Sequence, residues 1–414
     1  MIIPKADICS CEIAVIGGGM VGMTLAIALA QAGFDTVLLD ELPPETAIGA
    51  GFDGRVSAIA FASRRLYQTL GLWDALAPDA EPIRDIVVSD GRVKSGASSL
   101  FLHFDHAEIG DEPLGHIVEN RHTRLALLSA AKATPHLQLW APARAVRVDR
   151  DGAHADITLA DGRRLTARLC VGAEGRNSPL RREAGIKSLG WSYGQTGIVA
   201  TVAHEKPHQG LAQEYFLPSG PFAILPMTGN RSSLVWTEHG RAASAFLALD
   251  EAGFDAEVAR RVGTYLGETR VVGPRFSYPL SLQLAARYVL PRLAIVGDAA
   301  HAIHPIAGQG LNLGLRDVAA LAEIVTDAGR QGSDIGALSV LEQYQRWRRF
   351  DSMALAAVTD LLTRLFSNDI APLRLARDLG LAVTSQIGGA RRFFMRHAGG
   401  AVGQLPRLLR GEPL

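Results

Sequence analysis

The sequence predicts an α/β protein built from a Rossmann-like domain, an inserted antiparallel-sheet domain and a helical C-terminal region. Three observations carry this. A glycine fingerprint stands near the start between two β-rich runs. The middle of the chain alternates in the two-residue rhythm of half-buried strands. A second glycine-rich segment then follows an apolar run and opens a helical pattern.

The fingerprint comes first. Ile13 to Ile16 reads as a strand, Gly17 to Gly22 as a turn, and the stretch to Ala32 as a helix closed by Gly33. Thr36 to Leu39 reads as a second strand ending in Asp40. Gly17, Gly19 and Gly22 fill the G-x-G-x-x-G spacing. It supplies a tight turn, a close backbone approach to pyrophosphate and close helix–strand packing. Asp40 stands where an acid holds the ribose 2′-OH. Ile13 to Ala30 carries no charge and Gly18-x-x-x-Gly22 mimics a membrane packing motif, but the glycines break the run. A buried strand followed by a buried helix accounts for it better. No small-residue cleavage site follows, so a secretory leader is not expected.

The middle elements follow in order. Ser63 to Leu70 and Thr123 to Ala133 read as helices, and Leu137–Asp149, Ala155–Leu159 and Arg163–Val171 as β-runs with Asp161-Gly162 as a hairpin turn. Thr196–Val202, Ala212–Leu217, Phe222–Pro226 and Ser232–Thr237 suggest an antiparallel sheet. The chain then returns through a helical stretch to an apolar run, Leu290 to Val296, that delivers Gly297 and Asp298 as a strand end. A helix opens near Gly310, and the remainder reads mostly helical. This order sets a carboxylate beside a helix N-terminus, whose unpaired N–H groups and positive dipole end suit an electron-rich ligand edge. The combination suggests a flavin, with Asp298 on the ribityl hydroxyls and the Gly308–Asn312 backbone facing the pyrimidine edge.

Composition bounds the rest. The 414 residues are enough for two domains, and lysine plus arginine equals aspartate plus glutamate at 42 each, so no global field calls for nucleic acid. Cys9, Cys11 and Cys170 are too few for a disulfide framework, and reduced thiols in a cytoplasmic enzyme are expected.

Three separated segments resemble one family, the FAD-dependent aromatic hydroxylases of the para-hydroxybenzoate hydroxylase type, and within it the ubiquinone-biosynthesis hydroxylases. They are His304-Pro305-Ile306-Ala307-Gly308-Gln309-Gly310-Leu311-Asn312-Leu313-Gly314 with Asp317, Arg55-Val56-Ser57-Ala58-Ile59, and Gly220-Pro221-Phe222-Ala223-Ile224-Leu225-Pro226. The resemblance runs from about Ile13 to the C-terminus. It departs at Glu174-Gly175, where the family usually has Asp-Gly. It implies a Rossmann-like FAD-binding domain over 1–185 and 285–335, with a small part of 72–118 facing substrate. A substrate-binding sheet domain would cover 186–284 and a helical region 336–414.

The resemblance also implies roles. Gly17, Gly19, Gly22 and Asp40 would hold the ADP half of FAD, Arg55 and Arg121 its phosphate and ribityl region, and the backbone at Val146 the adenine. Asp298 would bind the ribityl chain, and Pro305, Gly308, Gly310, Leu311 and Asn312 would pack against the isoalloxazine. His304, Pro305, Gly308 and Gln309 would form the flavin-facing loop, with no substrate base evident. NAD(P)H would be a transient co-substrate and O2 the oxidant, and the substrate a lipophilic prenylphenol whose ring is hydroxylated. Hydroxylation of another aromatic, reduction of an isoprenoid double bond, and a flavin-bound scaffold without catalysis are the alternatives.

Other features carry weaker expectations. His301-x-x-His304 lacks a third ligand at metal spacing, so no metal is expected. Tyr215, Phe216, Phe222 and Trp236 line a ring pocket or fill plain core. Arg346, Arg348 and Arg349 around Trp347 read as a solvated helix face. Residues 371–410 hold Arg374, Arg377, Arg391, Arg392, Arg396, Arg407 and Arg410 around Phe393, Phe394 and Met395. They read either as a docked helix or as a peripheral contact with the inner membrane face or a biosynthetic complex.

Overall fold

The computed structural model describes residues 8–48, 52, 54–92, 96–108, 110–367, 380, 387–389, 391–392, 395, 399–400 and 403–414. The chain opens with β1 (Ile8–Ile16), α1 (Met20–Gln31), β2 (Thr36–Leu39) and the short α2 (Pro44–Ile48). β3 (Val56–Ala60), α3 (Phe61–Thr69), α4 (Trp73–Leu76), β4 (Ala80–Ile83), β5 (Asp85–Arg92), β6 (Gly96–Asp105) and β7 (Gly115–Glu119) lead to α5 (Asn120–Ala133). Next come β8 (Leu137–Trp140), β9 (Ala145–Asp149), β10 (Ala155–Leu159), β11 (Arg164–Gly172) and α6 (Pro179–Glu183). The inserted part holds β12 (Ser188–His204), β13 (Leu211–Leu217), β14 (Gly220–Met227), β15 (Arg231–His239), α7 (Gly240–Leu247), α8 (Glu251–Val262) and β16 (Thr269–Ala285). β17 (Val289–Leu290), β18 (Leu293–Ile295), β19 (His301–Ala302), α9 (Gly310–Arg330), α10 (Leu338–Phe366) and α11 (Arg407–Arg410) complete it.

Among the described residues three sheets form. The first has the order β17-β18-β11-β1-β2-β8 with β10 and β9 attached to β11, and its β18-β11-β1-β2-β8 run is parallel. α1 is buried along Gly22–Ala30 because it is apolar all round and lies between this sheet, α5 and α9. Leu25, Ile27 and Leu29 are fully buried, each contributing about 1.5–3 kcal/mol of transfer free energy. The second sheet runs β19-β16-β12-β15-β14-β13-β5-β6, and a small third sheet is β3-β7-β4.

The second sheet has two distinct faces. Its back, with Ile198, Ala200, Val202, Phe222, Ile224, Leu234 and Trp236, packs against Phe254, Val258 and Val262 of α8. Its front turns toward the first domain, where Thr201 Oγ donates to the Gly54 carbonyl at 3.5 Å and Phe216 clusters with Ile306.

Several expectations need correction. The run Leu137–Asp149 is two strands, separated at Ala141-Pro142, where proline removes a ladder donor. The stretch before Asp298 includes the long strand β16 as well as helices α7 and α8. Gly273, Pro274 and Pro279 break its local pattern while pairing with β12 overrides it. The apolar run 290–296 is a tight hairpin, β17 to β18, turning at Pro291-Arg292. Strands β5 and β6, from the first half of the chain, extend the inserted sheet through parallel pairing of β5 with β13.

Arg348 is not on a solvated face: it is 4% exposed and ion-paired with Asp317 and Asp351. Trp347 donates its indole N–H to the Gln404 carbonyl. Of the tail arginines, Arg374, Arg377 and Arg396 lie outside the described residues, as do Phe393 and Phe394. Arg391 pairs with Glu108 and Arg407 with Glu323 and Asp327, while Leu408 and Leu409 join the core of the first domain. No helix among the described residues is long and apolar enough to cross a membrane.

Candidate active site

The two glycine segments meet. A Cβ on Gly22 would lie 1.9 Å from the Gly17 carbonyl oxygen, and one on Gly17 would lie 2.5 Å from that of Ala173. Gly17 also sits at φ +110°, where side chains are rarely tolerated. Gly19 is different, with no atom within 4 Å of its would-be Cβ. The N-terminus of α1 therefore opens onto empty space, the cradle a pyrophosphate requires. Val21, inside the fingerprint, packs on Gly297 and Gly314; a Cβ on Gly314 would come within 2.6 Å of it. This contact joins the start of the chain to the late segment.

Asp40 ends β2 beside that cradle. One of its oxygens accepts the Gly18 N–H and the other the Leu42 N–H at 2.8 Å. The Ala143 N–H reaches the Asp40 carbonyl at 2.6 Å. Val146 falls in a β9–β10 irregularity that leaves it without a register partner, and its side chain is exposed.

Asp298 occupies a 3-10 turn, Gly297–Ala299, pinned on both sides. Asp317 accepts the Gly297 N–H at 2.9 Å, and Arg181 donates to the Ala299 carbonyl at 2.9 Å. The Asp298 side chain is exposed, yet protein surrounds it closely enough to raise its carboxyl above the usual range, with His301 and Arg176 pulling the other way. It has no hydrogen-bond partner among the described residues. A carboxylate set in a groove in this way can accept hydrogen bonds from a polyol.

Asp317 organises the floor of the groove. It is fully buried, and it accepts from His301 Nε2 at 2.5 Å and Arg348 Nε at 2.8 Å besides Gly297. Burial alone would raise its carboxyl, but His301 and Arg348 more than reverse that, so it titrates below the usual carboxylate range. His301 is therefore an Asp317 partner. No group of residues suited to a metal occurs among the described residues.

The loop before α9 is held by side chains. Asn312 accepts the Ala60 N–H at 2.9 Å and donates to the Ala58 carbonyl at 2.9 Å, fastening α9 to β3. Its side chain is thus committed to protein. The backbone amides of Gly310, Leu311 and Asn312 open α9 without intrahelical acceptors. Gly308 has φ +61°, and its would-be Cβ lies 3.3 Å from Ala58. His304 is fully buried with its ring edge-on to Tyr193 at 5.2 Å, and burial holds its imidazole down at about 4. It is a neutral core side chain at neutral pH.

The remaining candidates divide. Arg55 and Arg121 lie at one end of the β3–β7 pair, where the Asn120 N–H meets the Arg55 carbonyl. Arg121 Nε donates to Glu119 at 2.6 Å, and Arg231 shares that carboxylate at 3.0 Å. Among the aromatics, Phe216 alone faces the front; Phe222 and Trp236 belong to the back core, and Tyr215 packs against it. Glu174 accepts from Ser178 Oγ at 2.6 Å and from the Leu180 N–H at 3.2 Å. It thereby closes the N-terminus of α6, a reach its extra methylene permits. Arg348 and Glu119 were not foreseen, because no local pattern distinguishes a buried ion pair from a surface one, and Arg181 was not, because its partners are the backbone carbonyls of Ala299 and Arg176.

Comparison with known proteins adds to this geometry. Residues 10–357 match the family model for an FAD binding domain. The chain is 53% identical over 408 residues to the ubiquinone hydroxylase UbiL of Rhodospirillum rubrum, covering 97% of this chain and 93% of that protein. It is 36% identical to the 3-demethoxyubiquinol 3-hydroxylase of Escherichia coli, over 94% and 98% of the two chains. Among solved structures it resembles the p-nitrophenol 4-monooxygenase of Pseudomonas putida with a TM-score of 0.77 at 18% identity, covering 96% and 99%.

Proposed function

Because the chain belongs to the FAD-binding-domain family, and to its ubiquinone-hydroxylase branch, we propose that it hydroxylates the ring of a polyprenylated phenol in ubiquinone biosynthesis. It is an FAD-dependent monooxygenase using NAD(P)H and O2. When bound, FAD supplies the electron transfer and oxygen activation that side chains cannot. The observation that carries the reading is the unpartnered Asp298 carboxylate beside the open helix ends of α1 and α9.

Each residue then has a task in this proposal. Gly17, Gly19 and Gly22 admit the pyrophosphate to the α1 amides, and Asp40 keeps a free lone pair for the ribose. Arg55 and Arg121 approach the phosphate and ribityl region, and the Val146 backbone the adenine. Asp298 binds the ribityl hydroxyls. The amides of Gly310, Leu311 and Asn312 meet negative charge at the pyrimidine edge. Pro305, Gly308 and Gln309 line the ring, with His304 behind them. Ile306, Phe216 and Phe366 form an apolar wall that keeps water from the reacting centre.

Residues 371–410 are proposed to give a peripheral contact with a membrane or a biosynthetic complex. Exposed Phe350, Met353, Val358 and Leu361 on α10, which leads into that segment, support it. Failure both to float with phosphatidylglycerol vesicles and to co-purify with other quinone-pathway enzymes removes this part.

Complementation tests the function. Cells lacking the gene are expected to lose ubiquinone and to accumulate a prenylphenol short of one or more ring oxygens, as read by lipid mass spectrometry. The wild-type gene restores ubiquinone. Asp298→Ala folds but retains little FAD and does not restore it. Full restoration by Asp298→Ala without bound FAD would instead establish a scaffold.

A further inference from the structure

The front face of the inserted sheet carries two neighbouring carboxylates, Asp90, opposite Phe216 and accepting the Gly91 N–H, and Glu214, which sits among apolar side chains. Glu214 on β13 lies opposite Val88 of β5 on one side and Ala223 of β14 on the other. Strand alternation puts it on the same face as Ala212 and Phe216. Those neighbours belong to two different apolar clusters. Ala212 groups with Ile83, Ile117 and Met227, against which Val56 and Ala58 of β3 pack. Phe216 groups with Ile306 of the flavin-facing loop and with Phe366 of α10, the two phenyl rings 4.0 Å apart. Ala58 in turn touches the Gly308 and Asn312 positions described above. Glu214 therefore stands between two patches that both reach the flavin-binding elements.

Its own contacts are absent. Among the described residues no hydrogen bond or ion pair engages the Glu214 carboxyl, in contrast to Glu119, Glu174 and Asp317. The residue is nonetheless partly accessible, so its side chain is not sealed in packed core. A buried acid without a partner is costly, and such groups recur where a ligand completes them.

We infer that Glu214 is the group that receives the phenolic proton of the substrate during hydroxylation. This rests on the hydroxylase reading and deepens it by naming the base that sequence analysis did not find. The phenol O–H bond breaks, the proton passes to the carboxylate, and the electron pair left on oxygen raises the nucleophilicity of the ring. A ring carbon then forms a bond to one atom of O2 and later loses its own proton to regain aromaticity. The other oxygen atom leaves as water, and NAD(P)H supplies the two electrons.

The electrostatics suit this task. Burial raises the Glu214 carboxyl to about 7, near the optimum for a base working at neutral pH. Titratable groups on the surrounding elements include Asp90 on the same face of β5 and Asp85 at its start, His304 in the loop, Asp360 and Arg364 on α10, and Arg55 and Arg231 at the far end. None contributes to the shift, which burial alone produces. The ionised fraction, and with it kcat/KM for hydroxylation, is expected to rise with pH through about 7.

Glu214→Gln keeps the shape and removes the base. With the purified holoprotein, NAD(P)H and a short-chain prenylated phenol, its kcat for hydroxylation is expected to fall roughly 100-fold. KM for the phenol should change little, FAD content should be retained, and more NAD(P)H should be spent as H2O2 per product formed. The acidic limb of kcat/KM should vanish in Glu214→Gln and reappear in Glu214→Asp, which should also recover much of the rate. If Glu214→Gln holds FAD poorly, the Asp variant decides: an acidic limb and partial rate support the assignment, and a rate as low as that of Gln overturns it. A Gln variant within twofold of wild type with the same pH profile overturns it as well. A wild-type protein that hydroxylates no prenylated phenol overturns the functional reading and this assignment together. An active wild type beside an equally active Gln variant overturns the assignment alone.

Discussion

Replacing Gly22 with alanine is expected to abolish FAD binding and to destabilise the fold by roughly 3 kcal/mol or more, above the usual cost of overpacking. The new methyl would stand 1.9 Å from the Gly17 carbonyl oxygen and 3.1 Å from the Ala173 side chain. Neither backbone can yield independently, because the Gly17 N–H is bonded to the Leu39 carbonyl at 2.8 Å and the Ala173 N–H to that of Ile16 at 2.7 Å. The strain must therefore pass into β1, β2 and β11 together.

Gly19→Ala provides the matched control. Its methyl meets nothing within 4 Å, so the unfolding temperature of the FAD-free protein should stay near that of wild type. The same methyl would fill space left for pyrophosphate, so FAD affinity should fall by roughly 100-fold, about 2.7 kcal/mol. Flavin fluorescence titration and thermal unfolding separate the two effects. Equal unfolding temperatures for Gly22→Ala and wild type would contradict the packing argument.

Asp317→Ala is the second large effect. Its carboxylate compensates Arg348, holds His301, and binds the Gly297 amide, all inside the protein. Removing one partner of a buried ion pair costs about 3–5 kcal/mol, since the remaining charge is left desolvated. Asp351 still pairs with Arg348 at 2.5 Å and moderates the loss. The Gly297 amide has no such substitute, so the turn carrying Asp298 should loosen and FAD should bind more weakly.

Its pH dependence has a definite sign. The Asp317 carboxyl titrates below its unfolded value, so its stabilisation is complete above the ordinary carboxylate range and is lost as pH falls through the depressed value. Denaturation measured from neutral to acidic pH should show this loss in wild type and a shallower slope in Asp317→Asn. Full stability and full FAD affinity in Asp317→Ala would contradict the account.

These two positions also show what the sequence discloses and what it hides. Gly17, Gly19 and Gly22 are readable because the conformational demand is local: a turn, an approach and a contact within six residues. The Asp298 turn and the start of α9 at Gly310 were legible for the same reason. Arg348 was not, because its partner lies a helix away and a buried arginine has the same local pattern as a solvated one. Strand β5 reads as part of the first domain until its parallel pairing with β13, across more than a hundred residues, places it in the other sheet. Glu214 becomes distinctive once Val88, Ala223 and Phe216 are seen around it. Glu174 runs the other way. It looks like a departure from the family pattern, yet its longer side chain caps α6.

The most direct test of the central claim is the fate of molecular oxygen. Purified FAD-loaded protein would be given NAD(P)H, a prenylated phenol and 18O2, and the product examined by mass spectrometry. The account predicts one 18O atom in a new ring hydroxyl, with the prenyl double bonds intact. A product without ring-bound 18O, or one reduced in its isoprenoid chain, would contradict it.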